Sequence, residues 1–152
     1  MTVRRVAPKT TKRANVRFID TNVLLYAVLR NEEEQAKAAR ANEILLGRDL
    51  ALSVQVLQEF YTQATRESRP GRITHELATS AIDSLRRFPI EDVTIGLMLA
   101  ALETRTRFQI SYWDAAIIEA ARRLDCEVVL TEDLNDGQDY AGVRVENPFR
   151  DC

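Results

Sequence analysis

One histidine, two cysteines and five scattered glycines in 152 residues leave little room for several common chemistries. A structural zinc site takes four Cys or His ligands, and only His75, Cys126 and Cys152 are on offer. A histidine-dependent nucleophile or general base would have to use His75. Gly47, Gly71, Gly96, Gly137 and Gly142 form neither a Walker loop nor a dinucleotide fingerprint. Two cysteines make no disulfide framework, so a reducing, cytoplasmic setting is expected. Long apolar runs are missing too. The stretch Val16–Leu29 follows basic residues as a secretory segment would, but Arg17, Asp20 and Asn22 interrupt it and no small-residue cleavage site follows. Nothing approaches the ~20 apolar residues of a membrane helix. The chain therefore reads as soluble, with no membrane association.

Carboxylate is what remains in quantity, with 23 Asp+Glu against 21 Lys+Arg and a net charge of −2. The charge is uneven. Residues 1–15 carry Arg4, Arg5, Lys9, Lys12 and Arg13 and no acid, leaving 16 basic and 23 acidic residues for the rest. This arm lacks an apolar period and is expected to be disordered; such a tail suits nucleic acid or an acidic partner, and suits plain solubility as well. Residues 16–152 are expected to form a single domain.

Strand and helix patterns alternate along that domain. Val16–Ile19 is a short β-branched and aromatic run ending at Asp20, and Val23–Leu29 is long enough for a short buried helix. Asn31 is placed to cap a helix with Glu32, Glu33 and Glu34 in its first turn, stopped by Gly47. Leu50–Ser53 reads as a strand, followed by helix through Arg66. Thr74 opens a helix that Pro89 ends. Asp92–Thr94 suggests a weak strand, with helix from Ile95 to Arg107. Ser111 begins another helix, in which Trp113, Ile117, Ala120, Ala121 and Leu124 recur at helical spacing. Glu127–Thr131 and Val143–Val145 complete the strands. Strands separated by helices imply an α/β fold, with a parallel central sheet of about four to five strands covered by helices on both faces.

Ligands of such sheets bind beyond the carboxyl ends of the strands. Asp20 and Asp133 end two strands, and Asp114 lies in the first turn of a helix entered from the same edge. Each has a blander reading. Asp114 is three residues after Ser111, the spacing of a capping box. Asp20 could cap the helix that follows it, although an unpartnered buried acid would be costly. Asp133–Gly137 could be a mere turn; it is no calcium loop, since Gln138 and Arg144 stand where that motif needs Gly and Glu. Glu59 falls on the polar face of its helix with Gln55, Thr62 and Arg66, which favours a solvated surface position unless that face looks along the sheet edge.

Four segments in order strengthen the acidic reading. Phe18-Ile19-Asp20-Thr21-Asn22-Val23-Leu24-Leu25-Tyr26 resembles the opening of a PIN domain, in particular the VapC-type toxins of bacterial toxin–antitoxin pairs. Leu57–Tyr61, Tyr112–Ile117 and Leu130–Leu134 continuing to Gly137 resemble that family's later acidic motifs, and Val143–Phe149 its final strand. The resemblance covers residues 16–149 and implies a PIN-like nuclease domain. It implies a metal-dependent endoribonuclease, restrained by a cognate protein antitoxin and acting as a homodimer. Carried over by position, Asp20, Glu59, Asp114 and Asp133 form the acidic pocket. Asp20 and Asp114 are the surest Mg²⁺ or Mn²⁺ ligands, Asn22 and Thr131 are supporting groups, and Asp136 is an extra acid.

The chemistry is consistent with this. Phosphodiester hydrolysis needs an attacking hydroxide, neutralised phosphoryl oxygens and a stabilised leaving oxygen, and one or two divalent ions on carboxylates supply all three. Unscreened carboxylates would repel one another by about 4 kcal/mol per pair at 4 Å and an effective dielectric near 20. Arg66, Arg69, Arg72, Arg105 and Arg107 are candidate contacts to RNA phosphates, since the folded part is net acidic. Two rivals remain. A phospho-acceptor domain would use Asp20, but Asn22 occupies the position of a second phosphatase acid and Lys37 is the last lysine. A catalytically inactive PIN-like interaction module would need none of the acids.

Overall fold

The computed structural model describes residues 15–152, so all of the basic arm but Asn15 lies outside the described residues. Strand β1 (Arg17–Ile19) passes through Asp20 directly into helix α1 (Thr21–Val28). The expected helix after Asn31 is split: the Asn31 side chain accepts from the Glu33 amide at 3.0 Å and tightens Glu32–Glu34 into a 3₁₀ turn, after which α2 (Gln35–Leu45) begins. Strand β2 (Leu50–Ser53) also runs into its helix without a loop, Ser53 capping α3 (Val54–Ala64). Thr74 caps α4 (His75–Leu85), as the sequence suggests.

Strand β3 is Ile90–Glu91 rather than Asp92–Thr94. The Thr94 hydroxyl accepts from the Leu97 amide at 3.1 Å and so serves as the cap of α5 (Ile95–Phe108). Ser111 caps α6 (Tyr112–Arg123), which leads to β4 (Val128–Leu130). Trp113 departs from the core position its spacing suggests and is 62% exposed, because it sits in the first turn of α6 while the buried run begins at Ala115. Two strands close the chain, β5 (Asp139–Tyr140) and β6 (Val143–Glu146). Their hairpin turns on Ala141 and Gly142, both at positive φ (54° and 98°), as tight two-residue hairpins require. A two-residue strand has no readable period, which is why β5 is absent from the sequence expectation.

The sheet has six strands in the order β3-β2-β1-β4-β6-β5, parallel throughout except for the β5–β6 pair. Phe18, Ile19, Leu50, Ala51, Leu52, Val129 and Leu130 are all buried, as expected of strands covered on both faces. The helices pack in two groups, α1 with α2 and α3 and α3 with α4, and α5 on α6, which crosses β2, β4 and β6. Strand order reverses between β1 and β4. Such a reversal opens a crevice at the carboxyl ends of the two strands, and Asp20 and Thr131 stand on either side of it. No helix among the described residues is long and apolar enough to cross a membrane.

A buried polar network secures the second helix group. Glu119 accepts from the Thr104 hydroxyl at 2.7 Å and from Arg122, whose guanidinium also donates to the carbonyls of Tyr140 and Ala141. One carboxylate thus joins α5, α6 and the β5–β6 hairpin. Removing it leaves a buried hydroxyl and a half-buried guanidinium without their partner, so Glu119→Ala is expected to destabilise the fold by about 3 kcal/mol in chemical denaturation.

Candidate active site

Asp20 is 4% exposed, and both its oxygens are engaged. The Thr21 amide donates to Oδ1 at 2.7 Å, which makes Asp20 the N-cap of α1. The Thr131 hydroxyl donates to Oδ2 at 2.8 Å from the end of β4. Thr131 in turn accepts from the Asn22 side-chain amide and from the Asp133 backbone amide, each at 3.1 Å. Asn22 also donates to Asp133 Oδ2 at 3.2 Å. The two strand ends are therefore stitched together by hydroxyl and amide donors, with the Asp20 and Asp133 carboxylates on either side of them.

Glu59 does not face bulk water. Its Oε2 accepts from the Thr21 hydroxyl at 2.8 Å and its Oε1 from Gln55 at 3.1 Å. Because β2 runs straight into α3, the polar face of that helix looks along the carboxyl edge of the sheet, which is the arrangement periodicity alone cannot reveal. Gln55 also donates to the Trp113 carbonyl at 3.3 Å and so ties α3 to the first turn of α6, where Asp114 lies half-buried. The Asp114 amide donates to Ser111 at 3.0 Å, the cap its spacing suggests. Asp20 as the cap of α1, and Asp114 in the first turn capped by Ser111, can both still serve a shared site.

These acids share one field. Burial, the largest cause, pushes the Asp20 carboxyl up to about 7; hydrogen bonds from Thr131 and Thr21 oppose the rise, and the charges of Asp133 and Glu59 add to it. Burial likewise raises Asp114, opposed by Ser111 and reinforced by Asp133 and Glu59. Among the described residues no three Asp, Glu, His or Cys side chains converge closely enough to enclose a metal ion. What fits a hard cation is the character of the donors: they are all oxygen, and Asn22 Oδ1 is buried beside Asp20 and Asp133 with no hydrogen-bond partner. A Mg²⁺ site needs only one or two carboxylates and keeps several waters.

A pocket of about 230 Å³ adjoins the acids, lined among others by Thr21, Asn22, Glu59, Asp133, Leu25 and Leu29. Of the five arginines singled out above, Arg69 lines it. Arg66 and Arg72 are exposed on the loop after α3, and Arg105 and Arg107 are exposed in the last turn of α5. Asp136 is not brought into the set: its oxygens accept from the Asn147 amide and from Arg150, which fixes the chain after β6. Sequence reasoning passes over a second network on the pocket wall. Tyr26 donates to Glu132, and Lys37 donates to both Tyr26 and Glu132 at 3.1 Å. Its only sequence signal is Glu132 itself, lying between Thr131 and Asp133, because Tyr26 and Lys37 come from different helices.

The raised Asp20 gives a pH dependence of definite sign. The folded state holds this proton more tightly than the unfolded chain, so the contribution to stability is full at low pH and is lost as pH rises from about 4 through about 7. Thermal melts of metal-free protein are expected to show this group's stabilisation fading between about pH 4 and about pH 7, with little further change above. Asp20→Asn should remove that slope and raise stability at pH 8 by on the order of 3 kcal/mol.

Comparison with known proteins follows the same lines as the geometry. No curated protein matches the chain. Among solved structures, VapC20 of Mycobacterium tuberculosis, described as a sarcin-ricin loop cleaving toxin, is 21% identical with a TM-score of 0.61, over 77% of this chain and 91% of that one. FitAcB from Neisseria gonorrhoeae is 18% identical with a TM-score of 0.64, over 88% and 99% of the two chains. DNA-bound VapBC from Salmonella typhimurium is 16% identical with a TM-score of 0.62, over 88% and 98%. The family profile described as PIN domain matches residues 17–139, and with the acids placed as described, the chain belongs to the PIN domain family.

Proposed function

We propose that this chain is a metal-dependent endoribonuclease acting in the cytoplasm as the toxin of a toxin–antitoxin pair. The observation that carries the reading is the hydrogen-bonded chain of acids astride the β1–β4 crevice, in which Asp20, Glu59 and Asp133 are joined through Thr21, Asn22 and Thr131. The likeness to a sarcin-ricin loop cleaving toxin and to a VapBC assembly supports it. Asp20 and Asp114 would hold Mg²⁺ or Mn²⁺, with Glu59 and Asp133 as the further acids and Asn22 Oδ1 as a neutral donor. The ion would supply charge neutralisation and an acidified water.

The remaining work falls to the chain itself. Thr131 and Thr21 fix both oxygens of Asp20, so that carboxylate presents one orientation. Gln55 and Thr21 do the same for Glu59. Burial lowers the local dielectric and strengthens every charge interaction at the site. Metal-free, the four acids repel an RNA phosphate, and arginines around the rim must offset this. The apolar stripe Ile95, Met98, Leu99 and Leu102 along α5, 41–72% exposed, supports a homodimer in which a second copy covers it.

Asp20→Asn and Asp114→Asn are each expected to lower cleavage of a labelled single-stranded RNA at least 100-fold without loss of stability. EDTA should stop the parent and Mg²⁺ or Mn²⁺ restore it; cleavage that persists in EDTA contradicts the metal reading. Expression of the parent without its antitoxin should arrest growth, and Asp20→Asn should not. The wide spacing of the carboxylates favours one rival, a catalytically inactive interaction module. Calorimetric titration with Mn²⁺ separates the two, since the module has no reason to bind it.

A further inference from the structure

One cation lines the pocket beside the acids and a second, Lys37, binds two of its lining residues, and the two differ in what they are bound to. Lys37 is committed, donating to Glu132 and Tyr26. Arg69 lines the same pocket, yet its guanidinium donates to a neutral group, Gln63 Oε1, at 3.3 Å, and it pairs with no carboxylate among the described residues. Its position is set by backbone instead. The Arg69 amide donates to the Arg66 carbonyl at 3.0 Å, Arg72 to the Arg69 carbonyl at 3.3 Å, and Ile73 back to Ala64 at 3.0 Å. Two residues on, Gly71 has φ +74°, and a Cβ there would lie 2.3 Å from the Arg30 carbonyl oxygen. Only glycine lets this loop press against the turn between α1 and α2. The loop thus holds a guanidinium without a carboxylate partner in a mostly polar pocket that it shares with Asn22, Asp133, Leu25 and Leu29.

We infer that this pocket is the subsite for the nucleotide next to the scissile phosphate, the nucleoside lying on Leu25, Leu29 and Tyr26 and its phosphate on Arg69. The inference rests on the nuclease reading above. A fixed, uncommitted guanidinium presents a planar fork to phosphate oxygens. Tyr26, Leu25 and Leu29 supply the apolar part of the lining, which suits an unstacked base, the form in which single-stranded RNA is read. The acids around the rim disfavour an anion elsewhere in the pocket, so the phosphate is confined to the Arg69 end.

Steady-state cleavage of a fluorescent single-stranded RNA by the full chain in Mg²⁺ tests this. Arg69→Ala is expected to raise KM about tenfold with kcat changed less than about twofold, and Arg69→Lys to recover part of the loss. Loss of one phosphate contact should lower the slope of log KM against log salt by about 0.7. The thermal midpoint of Arg69→Ala should match the parent, because the side chain has one neutral partner. Gly71→Ala, which displaces the loop without touching a charge, should raise KM in the same direction. An unchanged KM and salt slope in Arg69→Ala, or a fall in kcat alone, overturns the subsite while leaving an active nuclease. A parent that neither binds nor cuts RNA overturns both.

Discussion

Asp20 ends the central strand, caps the first helix and meets Thr131 from the neighbouring strand, and it does all this almost out of contact with water. Leaving a carboxylate there is costly: burial is the main reason its proton is held to about 7. The rest of the site is organised around that cost. Thr21 and Thr131 offer donors that favour the charged form, Asn22 fastens Thr131 to Asp133, and Glu59 is brought in through the Thr21 hydroxyl. Those neutral donors stabilise the acids enough for the fold to form, but they do not balance the accumulated negative charge. The residual imbalance, together with the unpartnered Asn22 Oδ1, is what would draw in the divalent cation proposed above.

The scaffold that permits this strain is short and direct. Both β1 and β2 enter their helices with no intervening loop, so side chains from α1 and α3 are carried to the strand ends with little freedom. The third contribution comes from farther away, through α6, whose first turn is tied to α3 by Gln55. Behind it, Glu119 joins α6 to α5 and to the terminal hairpin, so the helix bearing Asp114 is anchored at several points along its length. Acids drawn from four parts of the chain can coexist because each is held by a different element.

The pocket beside the acids adds an asymmetry. One wall carries Glu132 neutralised by Lys37, and Arg69 stands in the same pocket with its charge unspent. The polyanionic substrate proposed above would need such a point of attraction to enter a net-acidic domain.

Much of this was legible from residue order. The alternation of strand and helix, the acids at strand ends, and the caps at Thr74 and Ser111 follow from local chemistry: apolar period, hydroxyls that accept from backbone amides, and a Pro that stops a helix. Four acidic segments in order also sufficed to suggest the family. Other features escaped. Periodicity put Glu59 on a polar face but could not say whether that face met water or the sheet edge. Asp136 looked like a site acid and instead binds Asn147 and Arg150. Trp113 had core spacing and lies exposed, while the Tyr26–Glu132–Lys37 network joins residues over 90 positions apart. The sequence by itself determined most of the elements and several of the residues that cap them, because those preferences act over a few neighbouring residues. Only the tertiary structure decided which polar faces confront one another, because that depends on strand order and helix docking, which bring distant residues into one dielectric environment.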